Sequence, residues 1–488
     1  MPGRIPEEIN QYRPEPCTEV KLINGHYYVY SYKSVKLPSG NWGKKTGKCI
    51  GSIVPGVGFR PNKNYTGAVQ DLITVLEYGQ YALIESVANS VKEDLQKCFP
   101  IDKAAQIFAY AVILYANGFV HIDQVQRYYE QSWLSIEYKD YPFKMGRTAL
   151  GTLLDDLGRR TKRVEAYVQQ SLDSCSEEVA IDGHVIRSCS DENDLGEAGY
   201  KFNALGEDQV NLLMGYDVNT DKPLFSRIYR GSCNDKSTVS DLAEYLHFSG
   251  IQFILDRGFY SRKNLDLLSA NGNSYIIPVP SNTDVFKRAM TDIKYTSSFY
   301  YRSGKKHARI EFRMMKISED EKVYIYRDID ENEKCRYNYL HCMELGKNGY
   351  TEEGFEKSKE TFGVYVLQTS SKRKAETIFT NYKKRWGIEI FYQYIKNRGD
   401  FNNLMIQDYY KEQGFAFIML IAGQIHRQVV KAVKSLNDNA VSVHDMLLMA
   451  RCMKLELRGN LWNLKNTRER DLKILAKMDF KPQQTITA

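Results

Sequence analysis

The stretch from Glu178 to Val279 constrains this chain most, because it sets strands and helices in an order that few folds accept. EVAIDGHVI (Glu178 to Ile186) reads as a strand and VNLLMGYD (Val210 to Asp217) as a second. PLFSRIY (Pro223 to Tyr229) returns antiparallel through the turn Asn219-Thr220-Asp221-Lys222. KSTVSDLAEYL (Lys236 to Leu246) has helical spacing, and IQFIL (Ile251 to Leu255) is a continuous apolar run of the kind buried on both faces of a sheet. A short helix, Ser261 to Ala270, and a strand, Ser274 to Val279, continue the series.

Three meandering strands, a crossover helix and a parallel strand describe the first half of a ribonuclease-H-like (retroviral-integrase-like) α/β sheet. In that order the first and fourth strands are neighbours. Asp182 lies inside the first, where β propensity disfavours a carboxylate. Asp256 directly follows IQFIL, at the carboxyl end where open α/β sheets place their ligands. Taken singly, Asp182-Gly183 is a common turn dipeptide and Asp256-Arg257-Gly258 can simply end a strand. Adjacent strands would bring the two acids together.

A third carboxylate stands on the stretch Asn381 to Arg398, NYKKRWGIEIFYQYIKNR. On one continuous helix Tyr382, Arg385, Glu389 and Lys396 fall within about 60° of arc, a polar face expected to point outward. Ile388, Phe391, Tyr394 and Ile395 supply the opposite, apolar face. The strand GVYVLQT (Gly363 to Thr369) leads in, with Ser371 as the expected N-cap and Gly399 as the stop. From Ser371 to Arg398 eight Lys and Arg face two Glu, so this segment matches +6 of the chain's net +7. Such concentration points to a polyanion, DNA or RNA first.

Three clustered carboxylates repel one another unless a cation sits among them. Hard oxygen donors without nearby Cys select Mg²⁺ or Mn²⁺, and two such ions suit in-line phosphoryl transfer on a nucleic acid. His184, nominally on the same strand face as Asp182, reads as structural or hydrogen-bonding, since imidazole is not a typical Mg²⁺ ligand.

At 488 residues the chain is too long for one ordinary core. The expected divisions are a β-rich basic module at 1–66, a helical, candidate DNA-binding domain at 67–175, and the first part of the core at 176–283. A mostly β insertion at 284–362, the core's helix at 363–400 and a helical region at 401–488 complete the chain. In the first module HYYVYSYKSV (His26 to Val35) is strand-like and LPSGNWGKKTGK turn-like, as a hairpin packed on a neighbour or a DNA-contacting arm. Arg159, Arg160, Lys162 and Arg163 at a helix junction fit either a helix-turn-helix or a solvated charge run. In the insertion, KVYIYRD (Lys322 to Asp328) and YNYLHCM (Tyr337 to Met343) read as short strands. Nine scattered cysteines without a CxxC pair speak against a disulfide framework or a zinc site and fit a reducing interior. The N-terminus lacks the apolar region of a signal peptide, and Phe415 to Gly423 is too short to span a bilayer, so no membrane partner is expected.

The spacing Tyr382-x2-Arg385-x3-Glu389-x6-Lys396 is similar to the YREK signature of the insertion-sequence-4 type of bacterial DDE transposases, with the flanking pattern present as YKKRWGIEIF. DRGFYS resembles that family's second-Asp motif and AIDGHVIRS its first. The resemblance runs from about Glu177 to Asp400. It implies that Asp182, Asp256 and Glu389 are the catalytic, metal-binding triad, and that Tyr382, Arg385 and Lys396 contact DNA phosphates near the element's end. In some relatives an insertion-domain Trp captures a flipped base and supports a hairpin intermediate. Pro280 to Gly363 holds no Trp, leaving Phe299, Tyr300, Tyr301 or Tyr324 to stack on a base or pack in the core, so the hairpin step is not carried over.

The function so implied is a DNA transposase, DNA-binding at its terminal inverted repeats, that cleaves there and joins 3′ ends to target double-stranded DNA with two Mg²⁺ or Mn²⁺ ions. A homodimer on paired ends and a cytoplasmic, nucleoid-associated place in a bacterium go with it. The alternatives are a transposase-derived DNA-binding protein without catalysis and a ribonuclease-H-like nuclease without strand transfer.

Overall fold

The structure, a computed structural model, describes residues 5–487 other than 15–16, 37–40, 63, 66–74, 160–161, 189–191, 200, 202–204, 234, 304–305, 390–391, 393–402, 405, 437–440 and 459. The chain divides into two compact units, Met1–Thr74 and Val75–Ala488.

The first unit is an antiparallel sheet of β1 (Thr18–Ile23), β2 (His26–Lys36), β3 (Trp42–Val54) and β4 (Gly58–Pro61), in that order. Val29, Ile50 and Ile53 bury one face beneath Ile9. The aromatic, β-branched run forms β2 as its composition requires. WGKKTGK, expected as turn, is instead strand: it pairs with β2 from Lys36↔Trp42 to Tyr32↔Thr46, and cross-strand hydrogen bonding overrides its glycines.

The second unit opens with β5 (Val75–Glu77) and a run of helices ending at Lys162–Asp173. Its longest, Ile101–Asn117, is buried from Ala104 to Tyr115 and stops at Gly118, whose φ of 82° is left-handed. At the expected helix junction Arg159 pairs with Asp155 at 2.8 Å and lies 4.3 Å from the ring centroid of Tyr410, while Lys162 and Arg163 are exposed.

The main sheet follows. β6 (Glu178–Ser188), β7 (Glu197–Ala198), β8 (Asp208–Asp217) and β9 (Lys222–Arg230) precede the helix Asp235–Tyr245, and β10 (Gln252–Leu255) and β11 (Ser274–Pro278) come after it. β6, β8 and β9 form the antiparallel meander, and β10 runs parallel to both β6 and β11. The expected order of elements is thus present, with β10 buried throughout.

Beyond β11 one expected strand is a helix, and the others join the main sheet. β12 (Ser297–Ser303), β13 (Lys306–Lys316) and β14 (Lys322–Asp328) do not stand apart: through β15 (Val364–Thr369) they extend the same sheet, in the order β12-β13-β14-β15-β11-β10-β6-β8. YNYLHCM is not a strand but part of the helix Ile329–Glu344, capped by Asp328, whose carboxylate accepts from the Glu331 amide at 3.1 Å. That helix has no fully buried residue, so it lacks the apolar stripe that makes a helix readable. Of the four aromatics considered for base stacking, Phe299, Tyr301 and Tyr324 pack into a core around Phe379 and Tyr326, whereas Tyr300 is 74% exposed.

β16 (Asn403–Leu404) adds to β6, and the helix Tyr409–Ser435 then buries Ala416 to Ile425 against the second unit's core. This helix crosses Arg147–Gly158 at backbone contact: a Cβ on Gly158 would lie 1.7 Å from the Tyr410 carbonyl oxygen, and one on Gly414 1.9 Å from that of Leu154. β17 (Lys454–Arg458), β18 (Leu461–Lys465) and β19 (Thr485–Thr487) join β5 in a small sheet that ties the unit's two ends together. The eight described cysteines are free thiols. Among the described residues no single helix is long and apolar enough to cross a membrane.

Candidate active site

Parallel pairing sets β6 and β10 in register from Gln252↔Glu178 to Leu255↔Ile181. One residue further on stand two acids, Asp256 just past the end of β10 and Asp182 in the middle of β6, so the two lie side by side at the carboxyl end of β10. Asp182 is held by the Gly183 amide, which donates to its Oδ1 at 3.0 Å.

The third acid arrives on a helix anchored at the opposite end of these strands. The helix Ala375–Lys384 begins after Lys374, not at Ser371. Ser371 Oγ accepts from Gln252 Nε2 at 2.6 Å and from the Arg373 amide at 3.3 Å, so it is occupied in a buried network instead of capping. Asn381 Nδ2 donates to Gln252 Oε1 at 3.0 Å and to Glu178 Oε1 at 3.4 Å, and Arg373 pairs with Glu178. Glu178 and Gln252 are the first residues of β6 and β10, so this network fixes the helix on the same two strands that carry the acids.

At Arg385 the helix tightens. The Arg385 amide bonds the Tyr382 carbonyl and the Ile388 amide bonds the Arg385 carbonyl, both three residues back and at 3.2 Å, and residues 386–389 are helical again. The polar face does not point outward as expected. Arg385, 13% exposed, turns inward: its Nη1 lies 3.5 Å from Asp182 Oδ2 and its Nη2 donates to Glu389 Oε1 at 3.0 Å. Buried carboxylates without other cations draw the nearest guanidinium to them.

The electrostatics describe one coupled group. Burial, then Asp256 and Glu389, push the Asp182 carboxyl up to about 7, against the opposing pull of Arg385. Burial disfavours the charge on Arg385, but Asp182 and Asp256 outweigh it and hold the guanidinium above its ordinary value. Burial raises the Tyr382 hydroxyl, which bonds to Arg385. Asp182, Asp256, Glu389, Arg385 and Tyr382 are therefore gathered in one place. Lys396, with Phe391, Tyr394, Ile395 and Gly399, lies outside the described residues.

Among the described residues no three His, Cys, Asp or Glu side chains are set as a finished metal site. The donor set nonetheless fits a hard divalent cation. It offers carboxylate oxygens without a thiol, and the Asp182 carboxyl, raised chiefly by burial and further by Asp256 and Glu389, is one whose charged form a cation would stabilise.

Two features of the site were not foreseen. Tyr392 donates its hydroxyl to the Asp182 carbonyl at 3.2 Å and stacks on buried His184 with ring centroids 4.8 Å apart, which gives His184 the structural role expected of it. The signal was there, since Tyr392 follows Arg385 by seven residues and so shares its face. Three of the segment's eight cations are also neutralised within the chain: Arg373 by Glu178, Lys383 by Glu331 at 3.4 Å, and Arg385 by Asp182 and Glu389. Counting charges along the sequence cannot show this.

No curated protein matches the chain. Among solved structures it is similar to the piggyBac transposase in a synaptic complex with hairpin DNA, determined by cryo-electron microscopy. The identity is 11%, over 83% of this chain and 81% of that one, with a TM-score of 0.39. The family described as the transposase DDE domain matches residues 173–422, which run from the end of the helix before β6 into the helix Tyr409–Ser435 and include all three acids. That span is just over half of the sequence, and the chain belongs to the transposase DDE domain family.

Proposed function

We propose that this chain is a DNA transposase that binds the terminal inverted repeats of its own insertion sequence, cleaves there and joins the 3′ ends to target DNA. The observation that carries this reading is Asp182 and Asp256 side by side on adjacent parallel strands, with one guanidinium joining Asp182 to Glu389. Asp182, Asp256 and Glu389 are the residues that would hold two Mg²⁺ or Mn²⁺ ions. When bound, such ions activate a water or a 3′-hydroxyl and stabilise the leaving oxygen of a phosphodiester.

The chain's own residues do the rest. Tyr392 and the Gly183 amide fix the Asp182 backbone and carboxylate. Arg385 is the counter-ion of the acids in the metal-free chain. Cations taking its place would release it, beside Tyr382 and Lys396, to phosphate oxygens near the cut, contacts that position DNA without reading its sequence. Two protomers acting on paired ends make a homodimer in the DNA complex, in a bacterial, nucleoid-associated setting. The Tyr382, Arg385, Glu389 and Lys396 spacing, with DRGFYS, supports placement in the insertion-sequence-4 (YREK) type.

A gel of element-end DNA incubated with protein and Mg²⁺ tests this reading. Cleaved ends are expected from the native chain and none from Asp182→Asn, Asp256→Asn or Glu389→Gln; intact cleavage by all three variants would overturn it. With a labelled 3′ end, joined products are expected, and cleavage alone marks a nuclease. For Arg385→Ala or Lys396→Ala, weaker end binding and a shallower salt dependence are expected.

A further inference from the structure

Arg373, Lys383 and Arg385 are paired with acids of this chain, whereas the lysines of β2 and β3 in the first unit have no ion pair among the described residues. Beyond the four-stranded sheet, β2 and β3 continue as a two-stranded ribbon. β1 pairs with β2 only between His26 and Ser31, and β4 pairs with β3 only from Gly51 onward. The pairs Tyr32↔Thr46, Lys33↔Lys45, Ser34↔Lys44, Val35↔Gly43 and Lys36↔Trp42 have no further strand beside them among the described residues. Their four steps reach about 13 Å past the sheet.

From Ser31 to Lys48 the ribbon carries Lys33, Lys36, Lys44, Lys45 and Lys48 and no acid. All five are exposed. Lys44 lies over the Tyr32 ring at 4.4 Å, and Trp42 is 73% exposed beside Lys36. Glu19 on β1 is taken by the Thr46 hydroxyl at 2.6 Å and by Lys21 at 3.1 Å, with only a weaker pull left from Lys44. Lys33 and Lys45 stand directly opposite each other, an arrangement that destabilises a ribbon on its own. Lysines that merely guard a sheet edge against unwanted pairing need no such opposition, and would not come with an exposed Trp. At the ribbon's root the register shifts, so that Ser31 faces both Gly47 and Lys48. A Cβ on Gly47 would sit 2.6 Å from Ser31 Oγ, so glycine permits this bulge, which twists and re-aims the ribbon.

We propose that the ribbon Tyr32–Lys36 with Trp42–Lys48 is a duplex-DNA-binding arm, its lysines on the phosphates and Trp42 against the backbone sugars or a groove edge. A major groove about 12 Å wide admits a two-stranded ribbon, and like charges on both its faces are stabilised only between two phosphate rails. The arm rests on the reading of the chain as acting on DNA, but it is a contact separate from the cluster of acids.

The test uses the full chain, with chelator and without metal, on a fluorescein-labelled duplex of random sequence, by anisotropy from about 50 to 300 mM salt. The triple variant Lys33→Gln, Lys44→Gln, Lys45→Gln is expected to bind about tenfold or more weakly, with a log-affinity against log-salt slope shallower by about 2 to 3. The triple Lys→Arg variant should restore both, and its melting temperature and that of the Gln variant should match the native chain's. An unchanged slope in the Gln variant would overturn the arm. So would an equal loss from the same charge change at exposed Lys347, Lys357 and Lys473, which reports net charge only, or a change in sedimentation without a change in DNA binding, which marks a self-association surface. Because no metal is present, lost cleavage in the triad variants leaves this measurement untouched, and a failed arm leaves the cleavage gel untouched.

Discussion

Asp182→Asn should stabilise the metal-free chain at alkaline pH, although it removes a residue proposed to be essential. An ordinary aspartate titrates near 3.9, whereas burial, Asp256 and Glu389 push Asp182 up to about 7. Between these values the folded chain holds a proton that the unfolded chain has released. Stability from this group therefore falls as pH rises through that window, and its full cost is present above about 7. At about 1.36 kcal/mol per pH unit the cost is about 4 kcal/mol. Asparagine removes it but also leaves Arg385 with one acid fewer, so a net gain of about 2 kcal/mol is the realistic expectation. In thermal melts with chelator the variant should exceed the native chain by a few degrees at pH 8, and the gap should close by about pH 4. Adding Mg²⁺ should raise the native midpoint and not the variant's. A variant less stable than the native chain at pH 8, or a gap independent of pH, would refute the picture of a strained, crowded acid cluster.

Other perturbations read other parts of the structure. Gly414→Ala pushes a methyl to 1.9 Å from the Leu154 carbonyl oxygen and should cost about 1 to 3 kcal/mol in chemical denaturation; an unchanged midpoint would deny the close crossing of the two helices. Asn381→Ala leaves Gln252 and Glu178 each short of a buried donor, with an expected loss of about 1 to 3 kcal/mol and slower end cleavage at unchanged DNA affinity. Equal loss of affinity would show that Asn381 does not act by positioning the helix. Glu412 is fully buried and its carboxyl is pushed up to about 8 by burial, although Asn193 donates to it at 2.6 Å. Stability from Glu412 therefore falls as pH rises from about 4 to 8, so Glu412→Gln should match the native chain near pH 4 and exceed it by a few kcal/mol at pH 9 in denaturant titrations.

The outcome element by element follows from what each signal depends on. The strands from Glu178 to Pro278 were legible because their periods are local and their faces are buried, and the parallel crossover then left one way to set Asp182 beside Asp256. The helix Ile329–Glu344 was not legible, since it buries no side chain fully. WGKKTGK looked like turn because glycine and lysine disfavour strands, and only its pairing with β2 makes it one. The strands Ser297–Asp328 read as an insertion, yet they continue the sheet because β14 finds β15 across the helices between them.

Sequence alone determined the order of the core's elements and the adjacency of the strands that carry Asp182 and Asp256, because hydrophobic period and chain connectivity are properties of the chain itself. Tertiary structure decided where the charges go. Arg385 turns inward to Asp182 and Glu389, acids distant from one another in sequence, and the lysines of β2 and β3 stay exposed with no ion pair among the described residues. Coulomb energy depends on distance in space, which a count along the chain does not contain.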